Sequence, residues 1–402
     1  MRRFAFYIFL VLVFLLAPFA ALPRQTAPAA PAATATPTPT AEPAAATPYR
    51  AVWVSYLEWE QVDFSSAEAF AVDTAAMLDN IQALGATVVL AQVRPFGDAL
   101  YISSYYPFSH ICTGTQGQDP GFDPLALLTA AAHARGLELE AWVNPYRIQA
   151  GQVPALCDAS PARQHPAWVK YTENGAYLDP ANAEVRQYIA DALAELCENY
   201  DIDGIHFDDY FYPTTDPAFD AADYAASGTA LTQDDWRREN VNALMELCHA
   251  AARRYGVRFG AAPVGDPEQN YALQYSDAAR WLRQGTVDYL MPQLYWGQEY
   301  VKNGDASHGL AQLAAAWAAL PRAAGVKLYA GLGAYRIGAG DGSDAGSEWV
   351  SGRALADQLI LLDRLGVQGA GLYRYASLFA NSEYPALAES EADAIKLVWQ
   401  ND

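Results

Sequence analysis

The chain has 402 residues, of which 52% are hydrophobic and 12% aromatic, enough to build a sizeable core in one large domain or two small ones. Its formal net charge of −21 and its pI near 4.5 would repel phosphate backbones and anionic lipid headgroups. The composition therefore excludes nucleic acid as an expected partner, although it names no substrate.

The first 22 residues have the layout of an export signal, because Arg2 and Arg3 precede an uncharged apolar run from Phe4 to Leu22. The run is longer than a usual signal core of roughly 7–15 residues and close to the ~20 that span a bilayer. We therefore expect residues 1–22 to be either a cleaved signal peptide or a retained signal-anchor. Either form predicts an extracytoplasmic protein, secreted or anchored on the outer face of the cytoplasmic membrane, with membrane contact through this segment alone.

Residues 23–48 consist almost entirely of Ala, Pro and Thr and show no hydrophobic periodicity. Such a segment cannot bury enough apolar surface to offset the entropy of ordering, so it is predicted to be a disordered linker. The remaining residues, 49–402, are assigned to a single domain.

From Tyr49 onward, apolar strand-like runs alternate with amphipathic helical stretches. Eight strands are predicted, at residues 50–59, 87–97, 137–147, 203–213, 257–265, 288–297, 327–337 and 369–377. Helices are predicted at residues 66–84, 124–135, 182–199, 234–255, 276–284, 310–320, 352–365 and 385–400. Several helices are followed by turns suited to a left-handed C-cap, namely Leu84-Gly85, Arg135-Gly136, Tyr255-Gly256 and Leu365-Gly366.

Eight consecutive βα units over about 350 residues predict an α/β fold of the (β/α)8 TIM-barrel type with enlarged loops on its top face. A doubly wound open sheet is the competing architecture, and it needs a glycine-rich turn after the first strand. Residues 53–59 (WVSYLEW) do not provide one. In a barrel the active site lies at the C-terminal ends of the strands, which is where polar and aromatic residues concentrate in this chain.

Carboxylates and aromatic rings on one barrel face suggest sugar binding, since rings stack on the apolar face of a pyranose. Cleavage of a glycosidic bond needs a proton donor and a negative group near the anomeric carbon. Asp208 and Asp209, at the end of the fourth strand, are the first candidates, because neighbouring carboxylates push one pKa upward. Strand alternation predicts that Asp208 points over the barrel mouth while Asp209 leans towards the helices.

The second catalytic carboxylate is not fixed by the pattern. Asp98 is the favoured partner, because it follows the Arg94-Pro95 turn two units before Asp208. Glu58, Asp266 and Glu299 also lie at or just beyond strand ends and stay open as alternatives. Expected substrate-binding residues at the strand ends are Arg94, Asn144, Arg147, His206, Tyr210, Gln293, Tyr295, Trp296, Tyr335 and Tyr373. Tyr212 is a further stacking candidate, whereas Trp53 is assigned to the core.

The chain has four cysteines, which suits an exported protein that is not rich in disulfides. Cys112 and Cys157 fall in stretches placed on neighbouring loops, and they are predicted to form a disulfide. Cys197 and Cys248 lie on helical patterns and are predicted to be small buried hydrophobes. No Cys or His spacing suggests a metal site, and no cofactor is expected.

Five segments together resemble the glycosyl-hydrolase-like 10 family. They are residues 50–54 (RAVWV), 92–95 (QVRP), 144–147 (NPYR), 203–213 (DGIHFDDYFYP) and 291–296 (MPQLYW). The resemblance extends from Tyr49 to Ser377 and implies a bacterial cell-envelope glycoside hydrolase. It also implies peptidoglycan glycan strands as the substrate class, without indicating an oligomeric state.

The fourth strand is also similar to the Asp-Gly-x-Asp-x-Asp-x-Glu pattern of family 18 chitinases. It departs from that pattern at two positions, because His206 replaces the first inner Asp and Tyr210 replaces the acid Glu. The chitinase roles therefore cannot be transferred as a set. If the substrate carries an N-acetyl group, the group itself can replace a protein nucleophile, and Tyr295 would then hold the acetamide.

Two other functions compete with hydrolysis. A carbohydrate-binding barrel that has lost catalysis would account for the missing Glu on strands four and seven, but not for the adjacent Asp208 and Asp209. A metal-dependent polysaccharide deacetylase needs a His/Asp ligand cluster, which the spacing of the histidines does not provide.

Overall fold

A computed structural model describes residues 48–401 of the chain. The expected export segment, residues 1–22, and all but the last residue of the expected linker, 23–48, lie outside the described residues and stay predictions. Within the described range, no helix is both long and apolar enough to cross a membrane.

Eleven strands are found in the described residues. They are β1 (Tyr49–Val54), β2 (Val88–Arg94), β3 (Glu138–Val143), β4 (Val169–Thr172), β5 (Gly175–Leu178), β6 (Gly204–Phe207), β7 (Arg258–Ala261), β8 (Tyr289–Leu290), β9 (Lys327–Leu328), β10 (Ala330–Gly333) and β11 (Gly369–Tyr373).

Fourteen α-helices are found in the same range. They are α1 (Tyr56–Trp59), α2 (Ala67–Leu84), α3 (His110–Thr113), α4 (Pro124–His133), α5 (Pro161–Gln164), α6 (Ala183–Asn199), α7 (Ala221–Ser227), α8 (Gln233–Arg254), α9 (Pro267–Leu273), α10 (Ala278–Gln284), α11 (Leu310–Ala318), α12 (Ala354–Arg364), α13 (Tyr375–Phe379) and α14 (Pro385–Asn401). Short 3-10 turns lie at Pro166–Trp168, Pro217–Phe219, Ala334–Arg336 and Glu348–Val350.

Nine of the strands form one parallel sheet in the order β10-β11-β1-β2-β3-β6-β7-β8-β9. The two ends of this order, β9 and β10, are halves of one predicted strand and are separated only by Tyr329. Because β9 pairs with β8 while β10 pairs with β11, the sheet closes on itself with eight strand positions. The predicted (β/α)8 barrel is therefore confirmed.

The strands bury their two faces in two different cores, as the alternation of side chains along a strand requires. Val52 and Val54 on β1 belong to the layer between the barrel and its helices. Ala51 and Trp53 on the same strand belong to the barrel interior, together with Trp142 of β3. Apart from strand ends such as the exposed Lys327 of β9, the barrel strands are buried on both faces, which explains their apolar sequences.

Glycines on neighbouring strands make room for the large side chains inside the barrel. A Cβ on Gly260 would lie 2.1 Å from the ring of Tyr289, and a Cβ on Gly371 would lie 2.7 Å from both the Trp53 ring and the Met291 sulfur. Neither approach is sterically possible, so the glycine and the large residue are required together. This arrangement lets two wide rings, Tyr289 and Trp53, fill the barrel axis.

The predicted helix-ending glycines are confirmed, because Gly85, Gly136, Gly256 and Gly366 all have positive φ. Several features of the loops were not predicted. They are the antiparallel hairpin of β4 and β5 and the short helices α1, α3, α5, α7, α9 and α13, of which α1 and α13 overlap the ends of predicted strands. The observed strands are also shorter than predicted, since most of them end where the polar residues of the mouth begin.

Candidate active site

A cavity of about 500 Å³ opens at the C-terminal ends of the barrel strands. Its size is in the range of small-molecule and sugar sites. The strand ends and the first residues after them supply all of its walls. The lining residues are Trp53, Trp142, Asp208, Asp209, Tyr210, Ala262, Gln293, Tyr295, Tyr335, Tyr373 and Arg374.

Asp208 directly follows β6 and is 5% exposed. Its Oδ2 accepts hydrogen bonds from the Trp142 indole, at 3.2 Å, and from the Asn144 amide, while its Oδ1 accepts from the Tyr210 backbone at 3.1 Å. Burial raises the pKa of the Asp208 carboxyl, and the Arg147 charge and the three donors oppose that rise. All three donors favour a carboxylate, so Asp208 is held as an acceptor.

Asp209 lines the same cavity but has a different environment. Its Oδ1 accepts one side-chain hydrogen bond, 2.8 Å long, from the Gln293 amide. Burial, followed by the charge of Asp208, raises the pKa of Asp209 to about 7. Three donors thus favour the anionic form of Asp208 while a single side-chain donor contacts Asp209, and such a difference in environment can divide the acid and anion roles.

Both aspartates were predicted as catalytic candidates, but the predicted orientation of Asp209 towards the helices is wrong. Alternation holds up to the end of β6, where His206 lies inside the barrel and Phe207 packs against the helices. The strand ends at Phe207, so the two-residue period no longer applies to Asp208 and Asp209.

Aromatic rings form the walls of the cavity. Tyr295 and Tyr373 stack with ring centroids 5.8 Å apart, and Tyr335 meets both of them edge-on. Tyr210 stands at the opening and is 55% exposed. Such rings offer flat apolar faces to a pyranose while their hydroxyls meet its polar groups. The structure brings Tyr210, Gln293, Tyr295, Tyr335 and Tyr373 together around one cavity, and their substrate-binding role stays a prediction.

The base of the cavity is formed by Trp53 and Trp142, which were missed as site residues. The Trp53 indole donates to His206 Nε2 at 3.2 Å, so the ring hydrogen of His206 must be on Nδ1, which faces the Tyr289 hydroxyl at 2.7 Å. Burial lowers the pKa of His206 to about 3 and keeps it neutral. His206 therefore supports Trp53 from below and lies outside the cavity lining, which corrects its predicted binding role.

Arg94 and Asp98 are not part of the cavity, contrary to prediction. A β-bulge between Gln92 and Arg94 reverses the side-chain alternation, and Arg94 lies over the Tyr106 ring, 4.2 Å from its centroid. Asp98 is fully buried, where its Oδ2 contacts the His110 ring at 3.0 Å and the Gln116 amide at 3.2 Å. Asp98 thus organises the loop after β2 and cannot be the second catalytic carboxylate.

Asn144 and Arg147 stand next to the cavity without lining it. Asn144 is fully buried, accepts a hydrogen bond from the Gln92 amide and donates to Asp208, so it positions a carboxylate instead of touching the substrate. Arg147 is half-buried, with its guanidinium carbon 5.5 Å from the Tyr210 ring centroid. Arg147 could therefore contact only a substrate that extends beyond Tyr210, and its binding role stays a prediction.

The remaining candidates lie outside the cavity lining and make contacts within the protein. Trp296 packs against the core beside Tyr300 and His308, and Tyr212 is buried near Asn240, so neither lines the cavity. Three acidic alternatives are likewise accounted for. Glu58 pairs with Arg374 at 2.7 Å, Asp266 caps α9, and Glu299 belongs to a separate cavity near Glu348.

The predicted disulfide is not formed, since all four cysteines are free thiols. The two loops are neighbours as expected, because the Cys157 backbone donates to the Gln116 side chain at 3.0 Å. However, Cys112 packs into the core, where burial raises its pKa to about 12, while the Cys157 sulfur lies against Gly117. Cys197 and Cys248 are buried, as predicted.

Comparison with known proteins shows the family. The family described as Glycosyl hydrolase-like 10 matches residues 48–351. Glycosyl hydrolase YngK of Bacillus subtilis (strain 168) is 37% identical over 316 residues, covering 72% of this chain. This chain spans 61% of the length of that relative. Glycosyl hydrolase DigH of Escherichia coli (strain K12) is 34% identical over 331 residues, covering 72% of this chain and 74% of the relative.

Among solved structures, the glycoside hydrolase domain of PgaB (BpsB) from Bordetella bronchiseptica has the same fold. It superimposes with a TM-score of 0.56 at 16% identity, covering 86% of this chain and 99% of that domain. The family resemblance of the five segments is thus confirmed, and the solved structure shows the same barrel fold. The chain belongs to the glycosyl hydrolase-like 10 family.

Proposed function

We propose that this chain hydrolyses O-glycosidic bonds in peptidoglycan glycan strands, with Asp208 and Asp209 as its catalytic carboxyl groups. The observation that carries the proposal is the pair itself: two adjacent carboxyl groups face one aromatic-walled cavity, and Asp208 accepts three hydrogen bonds where Asp209 accepts one from a side chain. A proton donor beside an anion is the minimum equipment for glycosidic cleavage.

In this mechanism Asp209 is the acid, because its pKa of about 7 keeps it substantially protonated at neutral pH. As the bond between the anomeric carbon and the leaving oxygen breaks, that oxygen takes the Asp209 proton. The Asp208 carboxylate, fixed by Trp142, Asn144 and the Tyr210 backbone, stabilises the positive charge at the anomeric carbon. Water completes the reaction by adding to that carbon and returning a proton to Asp209.

The walls of the cavity suit an N-acetylated sugar. Tyr295 lines the cavity, and the described residues form no hydrogen bond with its hydroxyl. If the 2-acetamido oxygen attacks its own anomeric carbon, the Tyr295 hydroxyl would hold that group, and no protein nucleophile would be needed.

Support for peptidoglycan as substrate comes from the family resemblance and from the predicted export segment at residues 1–22. The curated relatives are named as glycosyl hydrolases without a substrate. The substrate therefore has to be tested directly on this chain.

The test is incubation of the full-length chain, purified in detergent, with peptide-free peptidoglycan glycan strands, followed by mass spectrometry of the products. We expect shorter oligosaccharides, each gaining one water per cleavage. A wild-type chain that binds the strands but releases no fragment would instead support the non-catalytic carbohydrate-binding barrel.

A further inference from the structure

The guanidinium of Arg147 is held in place, but only one of its three nitrogens donates a hydrogen bond within the described part of the protein. Its Nε donates to the Pro95 carbonyl at 2.8 Å. Its guanidinium carbon lies 5.8, 4.9 and 5.5 Å from the ring centroids of Tyr56, Phe96 and Tyr210. One hydrogen bond and three aromatic neighbours thus fix the plane of the guanidinium before any ligand arrives.

The two terminal nitrogens of Arg147 have no hydrogen-bond or ion-pair partner among the described residues. Arg147 is partly exposed, and solvent reaches both nitrogens. Arg374, which lines the cavity itself, is different, because its Nη1 is occupied by Glu58 at 2.7 Å. A fixed guanidinium with two free, parallel donors is the geometry that binds a carboxylate in a bidentate manner.

The surroundings give that geometry a use. Arg147 is close enough to Asp208 and Asp209 for its charge to lower the pKa of both carboxyl groups. Tyr210, which lines the cavity, is also a neighbour of the guanidinium. A sugar stacked on Tyr210 would bring its substituents towards Arg147, and an acidic substituent there would otherwise be repelled by Asp208.

We propose that Arg147 binds a carboxylate carried by the sugar, and so makes the enzyme selective for acidic glycans over neutral ones. In a peptidoglycan strand this group is the free lactyl carboxylate, which exists only where the stem peptide has been removed. The inference rests on the proposed hydrolase function and names the substrate form that this function requires.

A simpler role for Arg147 is to tune the two aspartates by its charge alone. That role would affect every substrate equally and would move the pH profile. A carboxylate-binding role affects only substrates that carry the carboxylate and acts mainly on KM. Two matched substrates therefore separate the roles.

The experiment compares peptide-free peptidoglycan oligosaccharides, which carry lactyl carboxylates, with chitin oligosaccharides of equal length, which do not. For Arg147→Gln we expect kcat/KM on the lactyl substrate to fall roughly 10- to 100-fold, the usual value of a charge-assisted hydrogen-bond pair. Because a changed pKa of Asp208 or Asp209 would affect both substrates alike, we expect the ratio of kcat/KM on the lactyl substrate to kcat/KM on chitin oligosaccharides to fall by that same factor. Circular dichroism shows whether the variant is folded.

Arg336→Gln is the matched control. Arg336 also donates from Nε to a backbone carbonyl, that of Tyr295 at 3.3 Å, and it lies 4.7 Å from the centroid of a tyrosine ring, Tyr335. It does not line the cavity. We expect no preference change between the two substrates in this variant.

Binding measured by calorimetry in the Asp208→Asn background separates this inference from the proposed function. If the wild type cleaves neither glycan, the hydrolase proposal fails, while a lactyl preference in binding that Arg147→Gln removes would still support the inference. Equal losses on both substrates, or equal binding of both by the parent chain, would overturn it.

Discussion

Two buried carboxylates inside the barrel, Glu140 and Asp208, are held in opposite ways. Glu140 on β3 is fully buried and paired with Arg258, whose Nη2 lies 2.9 Å away, and it also accepts from the Tyr289 hydroxyl. Asp208 is bound by neutral donors and adjoins a second carboxyl group. A buried charge that is neutralised within the protein serves the structure, whereas one left without a contacting cation at an open cavity is available to a substrate.

The largest effect is expected from Asp208→Asn, which keeps the shape but removes the negative charge. We expect kcat to fall about 10²- to 10⁴-fold or more, because the amide cannot stabilise positive charge at the anomeric carbon. Glycan binding should change little, since the aromatic walls are untouched. Measuring kcat by release of reducing ends, and binding by calorimetry, checks both; a variant with wild-type kcat would remove Asp208 from the mechanism.

Asp209→Asn removes the proposed proton donor, so the loss of kcat in this variant should depend on the leaving group of the substrate. With natural glycan substrates we expect a loss of about 10²- to 10⁴-fold in kcat. An aryl glycoside whose phenolate leaves without protonation should recover most of that rate. The ratio of the two kcat values, in the variant and in wild type, measures the acid role. Equal losses on both substrates would show that Asp209 is not the acid.

Arg258→Met tests the other side of the comparison. The substitution keeps an apolar stem but leaves Glu140 buried without its cation, which costs about 3–5 kcal/mol of the free energy of unfolding. Because Glu140 does not line the cavity, kcat of the folded variant should match wild type. Urea denaturation and kcat measured in the same preparation decide the point, and a large kcat loss without destabilisation would refute it.

The pH dependence of kcat/KM is expected to show the elevated pKa of Asp209. The folded-state pKa, raised to about 7 by burial and by the charge of Asp208, means that the acid is protonated below that pH and loses its proton above it. Activity should therefore fall about tenfold per pH unit above pH ~7. A profile flat to pH 9 would contradict this. A loss of activity that begins as the pH rises above about 4 would show that the pKa of the acid is unperturbed.

The sequence was enough to predict the barrel and most of the mouth, for a physical reason. The alternating strands and helices, with polar residues after each strand, follow from a closed parallel sheet whose loops carry the site. Asp208, Gln293 and Tyr335 come from three distant segments, and all three line one cavity.

Two of the errors, those on Arg94 and Asp209, share a cause, which is local departure from strand geometry. The bulge between Gln92 and Arg94 points the Arg94 side chain towards the helix layer instead of the cavity. Because β6 ends at Phe207, Asp209 faces the cavity. Asp98 was misassigned because its burial against His110 and Gln116 depends on long-range packing. Trp142 could have been found, since it lies two residues before Asn144 on the inward face of β3.

The most direct test of the account compares Asp208→Asn and Glu140→Gln side by side, measuring kcat and the free energy of unfolding for each. The account predicts that Asp208→Asn loses kcat while its stability changes little, because removal of a buried negative charge offsets the loss of one acceptor oxygen. It predicts that Glu140→Gln loses stability, by about 1–3 kcal/mol, while its kcat stays near wild type. Loss of kcat in Glu140→Gln at unchanged stability, or full activity in Asp208→Asn, would contradict the account.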